Sequence, residues 1–343
     1  MVNLAAIISA AKAPLEVHQV DIYQPGPHEL LIKNQVIAFN PIEYKIAKLD
    51  IIPIQYPAIL GSTFGGIVEV VGSQVTDFHV GERVVVSKKF DVVGNQYGAY
   101  QRYVVVGDVM VSKMPADVEL AIPASLMMNL TCVVGLFTGR LGLEKPSLDA
   151  SVPTKSKGLK VFVYGGSSSF GSLSVQYLSQ AGYTVITTSS PKHRAFISQL
   201  GAFSVINHTL ASDTLVDQLV GEGPYDFVVD TISLPTTIAV TAQVLAAQGG
   251  GKLYAMQPAF EPETLPDGVA RVFKPWSDPL YEERNRGLLQ WVIKTYLPQG
   301  ISRGAIIPLS IEKISGGLKG VNEALDRLQK GVSGVKLVAD PWE

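Results

Sequence analysis

The chain has 343 residues, enough for two domains that each bury a core of their own. Hydrophobic residues make up 47%, charged residues 17%, and the formal net charge is −2, so no basic surface for nucleic acid or an anionic membrane is expected. Cys132 is the single cysteine, which excludes an internal disulfide framework and points to a reducing, cytoplasmic setting.

Residues 1–11 are apolar but carry no basic segment, so they read as a first strand and not as a signal peptide. No apolar run approaches the length of a membrane span. Residues 4–9, 15–20, 29–39, 66–71, 83–87 and 101–106 are β-rich, often alternating, and bounded by Pro, Gly or Asp turns. A glycine-rich piece, residues 61–66, leads into one of these strands. Residues 119–140 turn helical, with Asn129 and Thr131 set in an otherwise apolar stretch. Residues 145–157, with two prolines and three serines, read as an exposed loop.

Residues 159–164 then form a short apolar run, followed by Gly165-Gly166-Ser167-Ser168-Ser169-Phe170-Gly171, a helical stretch to Gly182 and a second apolar run at 183–188. Strand, glycine turn, helix, strand is a βαβ unit of parallel-sheet type. The spacing from Gly166 to Gly171 fits G-x-G-x-x-G, except that Ser168 holds the middle position. Glycines there admit a pyrophosphate close to the backbone, and the helix behind them offers free N–H groups and a positive dipole end. The seven residues 165–171 are therefore the expected phosphate cradle. A turn that binds nothing is the plainer alternative, and the strand-turn-helix context argues against it.

NAD specificity is usually set by an acid at the end of the second strand. Here that region offers Ser189, Ser190, Lys192, His193 and Arg194 and no acid. Hydroxyls and cations suit a 2′-phosphate, so the expected cofactor is NADPH. Ser190 as an N-cap and Pro191 at the first helical position are compatible with that role. Further strands at 204–206, 226–230 and 252–255 alternate with helical stretches; helices are expected at 281–297 and 318–330, and a closing strand at 334–338. The fold class is α/β: a doubly wound parallel Rossmann sheet at 125–275, and a mostly β domain made of residues 1–124 and 276–343.

Several pieces together resemble the medium-chain dehydrogenase/reductase superfamily over nearly the whole chain: Gly81-Glu82-Arg83-Val84, residues 61–72, the glycine fingerprint and residues 333–338. The match is most similar to the zinc-independent fungal branch. That branch holds quinone-oxidoreductase-like enzymes, alcohol-dehydrogenase-like aldehyde reductases and enoyl reductases acting in trans with polyketide synthases. Asn40-Pro41-Ile42-Glu43-Tyr44-Lys45 resembles its N-P-x-D-x-K segment, and Ser190-Pro191-Lys192-His193 its NADPH-phosphate segment. Leu136-Phe137-Thr138 and Leu141-Gly142-Leu143 resemble its domain-linking helix. The resemblance implies that the β-rich domain is a GroES-like catalytic domain.

Zinc members of the superfamily carry a Cys on the segment occupied here by residues 40–45, and Gly-His-Glu where this chain has Gly61-Ser62-Thr63. His18, His28, His79, His193 and His208 show no ligand spacing, so no metal is expected. Asn207-His208 stands where the branch often has Asp-Tyr, which implies that His208 stacks on the cofactor or meets its 2′-phosphate. Without zinc, a carbonyl must be polarised by hydrogen-bond donors. The resemblance places Tyr44 and Lys45 on the segment facing the nicotinamide and makes them the catalytic candidates; spacing alone would leave Lys45 a solvated surface charge. Asn129, Thr131, Thr138, Phe273, Trp276 and Tyr281 are candidates for the substrate pocket. Local hydrogen bonding is the plain alternative for the polar three, and core packing for at least one aromatic.

These features together imply an NADPH-dependent, zinc-independent oxidoreductase that reduces an activated C=C by hydride transfer. An aldehyde, ketone or quinone reductase is the second reading, and a cofactor-binding protein without turnover the third. The expected partner is a small-molecule substrate, in one form a thioester on a synthase carrier domain, with the protein a monomer or homodimer.

Overall fold

The computed structural model describes residues 2–89, 91–149, 151, 154–259 and 261–343. The chain divides into two compact units, Met1–Met128 with Gln290–Glu343, and Asn129–Leu289.

In the first unit, one sheet runs in the order Ser310–Ile314, Val335–Ala339, Glu29–Ala38, Thr63–Val71, Arg83–Ser87 and Val111–Lys113, and Tyr103–Gly107 also pairs with Glu29–Ala38. A second sheet sets Asn3–Ile8 between Leu15–Val20 and Ala58–Ile59. Glu29–Ala38 buries Leu30, Leu31, Ile32, Ile37 and Ala38, and Val84, Val85 and Val86 extend the same core. The expected strand at 66–71 begins earlier, at Thr63, so much of the glycine-rich piece is itself strand. Glycine is required there by crowding: a Cβ on Gly66 would lie 2.2 Å from the Lys33 carbonyl oxygen.

Near the C-terminus, Val321–Lys330 buries Val321, Ala324, Leu325 and Leu328. That 3-4 spacing makes one apolar stripe, which packs in a cluster with Phe39, Ala47 and Tyr100. The helix expected at 281–297 starts later. Residues 278–285 form two short 3-10 turns, Gly287 takes φ +84°, and continuous helix begins at Leu288 and runs to Ser302.

The second unit is built on six parallel strands, Lys160–Tyr164, Thr184–Ser189, Ser204–Asn207, Phe227–Asp230, Gly251–Ala255 and Val269–Val272. Numbered in that order, they lie side by side as 3-2-1-4-5-6. This is the doubly wound arrangement with a switch point beside its first strand. Phe162, Val163, Ile186, Val228 and Leu253 are fully buried, as sheets covered on both faces require. The sixth strand, Val269–Val272, and the strand Ser310–Ile314 of the first unit escaped sequence reasoning; their partly exposed residues carry no strong apolar run.

The expectation that no apolar run matches a membrane span needs correction. The helical run Ala121–Arg140 is 20 residues long and apolar enough to cross a bilayer, and 72% of its most apolar window is buried inside the protein. A core helix satisfies the same length and composition. Of the loop expected at 145–157, residues 150, 152 and 153 lie outside the described residues, and the rest form neither helix nor strand.

Candidate cofactor and proton-donor sites

The glycine turn of the Rossmann-type unit is fixed from three sides. Gly165 takes φ +84°, and its N–H donates to Thr188 Oγ1 at 2.9 Å. Gly166 lies against the second strand, where a Cβ would stand 2.4 Å from Thr187 Oγ1. Gly171 lets the helix meet the turn, since a Cβ there would fall 2.2 Å from the Gly165 carbonyl oxygen. Ser168, the departure from the fingerprint, has φ −73° and ψ 161°, a conformation any residue adopts. Its hydroxyl accepts the Gly171 N–H at 2.9 Å, capping the helix Ser169–Gln180, and pairs with Thr231 Oγ1 at 2.8 Å. Thr231 in turn donates to the Tyr164 carbonyl at 2.8 Å, tying the end of the fourth strand to the turn.

With those bonds made, the N–H groups of Ser167, Ser169 and Phe170 have no partner among the described residues. Free N–H groups at a helix start are what a pyrophosphate binds, so the turn fits the expected dinucleotide. Thr188 and Thr231, which brace the turn, were missed by sequence reasoning; hydroxyls on neighbouring strand ends give no spacing signal.

At the end of the second strand, Ser190 Oγ is buried with no hydrogen-bond partner. Lys192 and Arg194 are exposed, and burial together with the Lys192 charge holds the His193 imidazole below its ordinary pKa. Ser189 pairs in parallel register with Asn207, and the His208 N–H donates to the Ser189 carbonyl at 3.2 Å. Ser190 and His208 are thereby brought to adjacent strand ends, with His208 exposed.

The substrate candidates fall in different surroundings. Asn129 Nδ2 donates to Ser169 Oγ at 2.7 Å, in the first turn of the helix that follows the glycines. Thr131 is 4% exposed. Thr138 Oγ1 lies 2.6 Å from the hydroxyl of fully buried Tyr177. Trp276 is core: its Nε1–H donates to the Ala255 carbonyl at 2.7 Å and its ring meets Tyr254 edge to face. Phe273 is exposed and Tyr281 partly buried.

In the first unit, Tyr44 and Lys45 sit where the short helix Pro41–Tyr44 runs into the π-helical turn Lys45–Leu49. Such wide turns are uncommon and frequent at functional sites. Burial raises the Tyr44 hydroxyl pKa and lowers that of the Lys45 ammonium, making Lys45 the readier proton donor. The segment is held by a buried carboxylate that sequence reasoning passed over. Glu43 is 1% exposed and accepts the Asn40 N–H at 2.5 Å and the Ser62 N–H at 3.0 Å. Lys336, from the last strand, donates to the Phe39 carbonyl at 3.1 Å and to Asn40 Oδ1 at 2.9 Å. Burial pulls Lys336 down to about 8 against the attraction of Glu43, and pushes the Glu43 carboxyl up. The Tyr100 hydroxyl is buried beside Glu43 without a well-formed hydrogen bond. Asn40-x-x-Glu43 is a capping-box spacing and was the available signal for Glu43; nothing local announces Lys336.

A GroES-like β unit and a parallel unit with a dinucleotide-type turn define a nicotinamide-dinucleotide oxidoreductase, and comparison with known proteins agrees. Residues 26–116 match the alcohol dehydrogenase GroES-like domain. The chain is 31% identical over 320 residues to the trans-enoyl reductase himH of Aspergillus japonicus, covering 91% of this chain and 89% of that protein. A mycobacterial protein solved with NADPH shares the fold at TM-score 0.73 and 23% identity, over 98% of this chain and 100% of that one. An NAD-dependent alcohol dehydrogenase shares it at TM-score 0.74 and 19% identity, over 99% of each chain. The protein belongs to the medium-chain dehydrogenase/reductase superfamily.

Proposed function

We propose that this protein is an NADPH-dependent, zinc-independent reductase of activated C=C bonds of the enoyl or enone type. One observation carries the cofactor choice: the second Rossmann strand ends in a buried, unpartnered Ser190 hydroxyl followed by Lys192 and His193, with His208 beside it and no acid in the segment. The same fold serves NADPH in one neighbour and NAD in another, so those residues and not the architecture bear on the choice.

Bound NADPH supplies the hydride. The free N–H groups of Ser167, Ser169 and Phe170 hold the pyrophosphate, and Ser190, Lys192, His193 and His208 hold the 2′-phosphate. Lys45 donates to the oxygen that gains negative charge, or protonates the carbon beside it, with Tyr44 as the weaker donor. Zinc independence is supported by the groups at the ligand positions: the Asn40 amide donates to Thr63 Oγ1 at 3.0 Å, and Ser62 engages Glu43 through its N–H. The thiol of Cys132 is pushed up to about 12 by burial, the opposite of a metal-binding thiolate.

Enoyl reduction is favoured over carbonyl reduction by the likeness to the trans-enoyl reductase himH, and implies a thioester substrate, free or carrier-bound. The test gives purified protein NADPH or NADH with an enoyl thioester, an α,β-unsaturated aldehyde, a saturated aldehyde and a quinone. Preferential NADPH oxidation with the enoyl thioester is expected. Turnover confined to the saturated aldehyde, or a preference for NADH, would overturn the assignment.

A further inference from the structure

Asn129 is a polar residue on an apolar helix, and its hydrogen bond leaves that helix. The run Ala121–Val134 buries Leu126, Met127, Leu130 and Val133, and its Ser125 is satisfied locally, donating to the Ile122 carbonyl at 2.7 Å. Asn129 is partly buried and makes no local bond among the described residues. Its amide Nδ2 reaches Ser169 Oγ instead, 40 residues along the chain and 2.7 Å away. Ser169 opens the helix Ser169–Gln180, so no helical carbonyl precedes it for its hydroxyl to bond. Ser174 and Gln176, deeper in the same helix, donate back to the Phe170 and Ser172 carbonyls at 2.9 Å and 3.2 Å.

The direction of the Asn129 bond decides what Ser169 can still do. An amide N–H that donates takes a lone pair of the serine oxygen and leaves its O–H unspent. Among the described residues nothing accepts that proton. Ser168, one position earlier, differs: its hydroxyl accepts the Gly171 N–H and pairs with Thr231 Oγ1. One serine at the helix start is therefore closed inward. The other keeps an O–H donor on a residue whose backbone N–H is also free.

We infer that Ser169 is a side-chain donor to the cofactor's pyrophosphate and that Asn129 is its positioning residue, turning the hydroxyl proton toward the bound anion. This rests on reading the glycine turn as a dinucleotide site. The amide also strengthens the hydroxyl, because an oxygen that accepts one hydrogen bond donates a better one. Asn129 is thereby assigned to the pyrophosphate and not to the substrate pocket. NADPH and NADH share that pyrophosphate, so the Asn129–Ser169 couple serves either cofactor, whereas Ser190, Lys192 and His208 bear on the 2′-phosphate alone.

The test is a double-mutant cycle in the full chain, with Asn129→Leu, Ser169→Ala and the two combined, and thermal melting to confirm that each folds. Ser169→Thr keeps the hydroxyl and is the conservative control. NADPH, NADH and 2′-AMP, which has no pyrophosphate, are titrated by calorimetry. Ser169→Ala is expected to weaken NADPH and NADH alike by roughly tenfold, the loss of one charge-assisted hydrogen bond. Asn129→Leu should weaken both by about threefold and add nothing in the Ser169→Ala background, since its effect passes through the hydroxyl. Ser169→Thr should keep most of the NADPH affinity, and 2′-AMP should bind every variant equally. Unchanged NADPH affinity in folded Ser169→Ala, additive losses in the double variant, or 2′-AMP weakened as much as NADPH overturns the proposal. A preference of the unmodified protein for NADH removes the NADPH reading, while the same cycle run with NADH still decides the role of Asn129 and Ser169.

Discussion

At the glycine turn, binding groups are backbone N–H donors and a strand-end hydroxyl, and most of the residues that shape them lie within residues 163–194, with Asn129, Asn207, His208 and Thr231 coming from outside. Around residues 40–45 the functional groups are side chains, and their support arrives from Ser62, Tyr100 and Lys336, the last 296 residues from Asn40. The first region is set mostly by local geometry. The second depends on buried charge, so single substitutions there should do more.

The largest effect is expected at Glu43. Its carboxylate accepts the Asn40 and Ser62 N–H groups, and Glu43→Ala, leaving both without that acceptor, should lower unfolding free energy by about 2–5 kcal/mol. Glu43→Gln, which keeps an acceptor oxygen, should lose less; denaturant unfolding measures each. A loss below about 1 kcal/mol in Glu43→Ala would mean the carboxylate is not held as described. The buried lysine of the last strand also sets a pH signature. Lys336 is held at about 8 in the folded protein against 10.5 for an ordinary lysine, so between these values the unfolded chain binds more protons. Stability attributable to Lys336 therefore rises with pH through that window, and Lys336→Met should flatten the rise. The raised Glu43 carboxyl acts in the opposite sense at lower pH, where its contribution is lost as pH climbs through its folded value.

Next comes Lys45. A positioned donor to developing charge is worth roughly 10²–10³ in turnover, so Lys45→Ala should lower kcat at least about tenfold with the fold intact. Tyr44→Phe should do less. Steady-state NADPH oxidation, with cofactor affinity measured separately, decides it, and unchanged turnover in Lys45→Ala would leave the lysine a surface charge.

These two sites also mark how far the sequence could be read. Five strands of the parallel sheet were legible because they are short β-rich runs between turn residues, whereas the half-exposed sixth was not, and the cradle was legible because one βαβ unit contains it. Tyr44 and Lys45 came only through a resemblance. Glu43 and Lys336 were not legible together, since burial and long-range hydrogen bonding to the Asn40 segment decide their roles and neither leaves a period in the sequence. Trp276 shows the converse: an aromatic suggested for the pocket is held in the core by its bond to Ala255.

A smaller effect is expected at Lys192, which tests the phosphate end of the local region. Charge-assisted bonds to phosphate contribute roughly 1.5–3 kcal/mol, so Lys192→Ala should weaken NADPH about tenfold or more and leave NADH nearly unchanged. Fluorescence titration with both cofactors gives the answer. Equal losses would refute the 2′-phosphate assignment.

The smallest effect, and the sharpest on the comparison, is expected from Ser168→Gly, which restores the glycine missing from the fingerprint. If that glycine were needed for backbone approach to the pyrophosphate, the substitution should tighten NADPH. The structure argues otherwise: Ser168 has φ −73°, and its hydroxyl points back to cap the helix at the Gly171 N–H. A glycine there loses the cap but keeps the backbone, which costs only a few tenths of a kcal/mol, whereas Ser168→Ala should cost about 1 kcal/mol. Thr231 keeps its bond to the Tyr164 carbonyl in both variants, so the turn itself should hold. NADPH affinity within about twofold of the unmodified protein, with Ser168→Ala melting below Ser168→Gly, is the expected pair of results. A clear gain in NADPH affinity for Ser168→Gly would show that the serine side chain obstructs the cradle and that this region, too, is governed by its side chains.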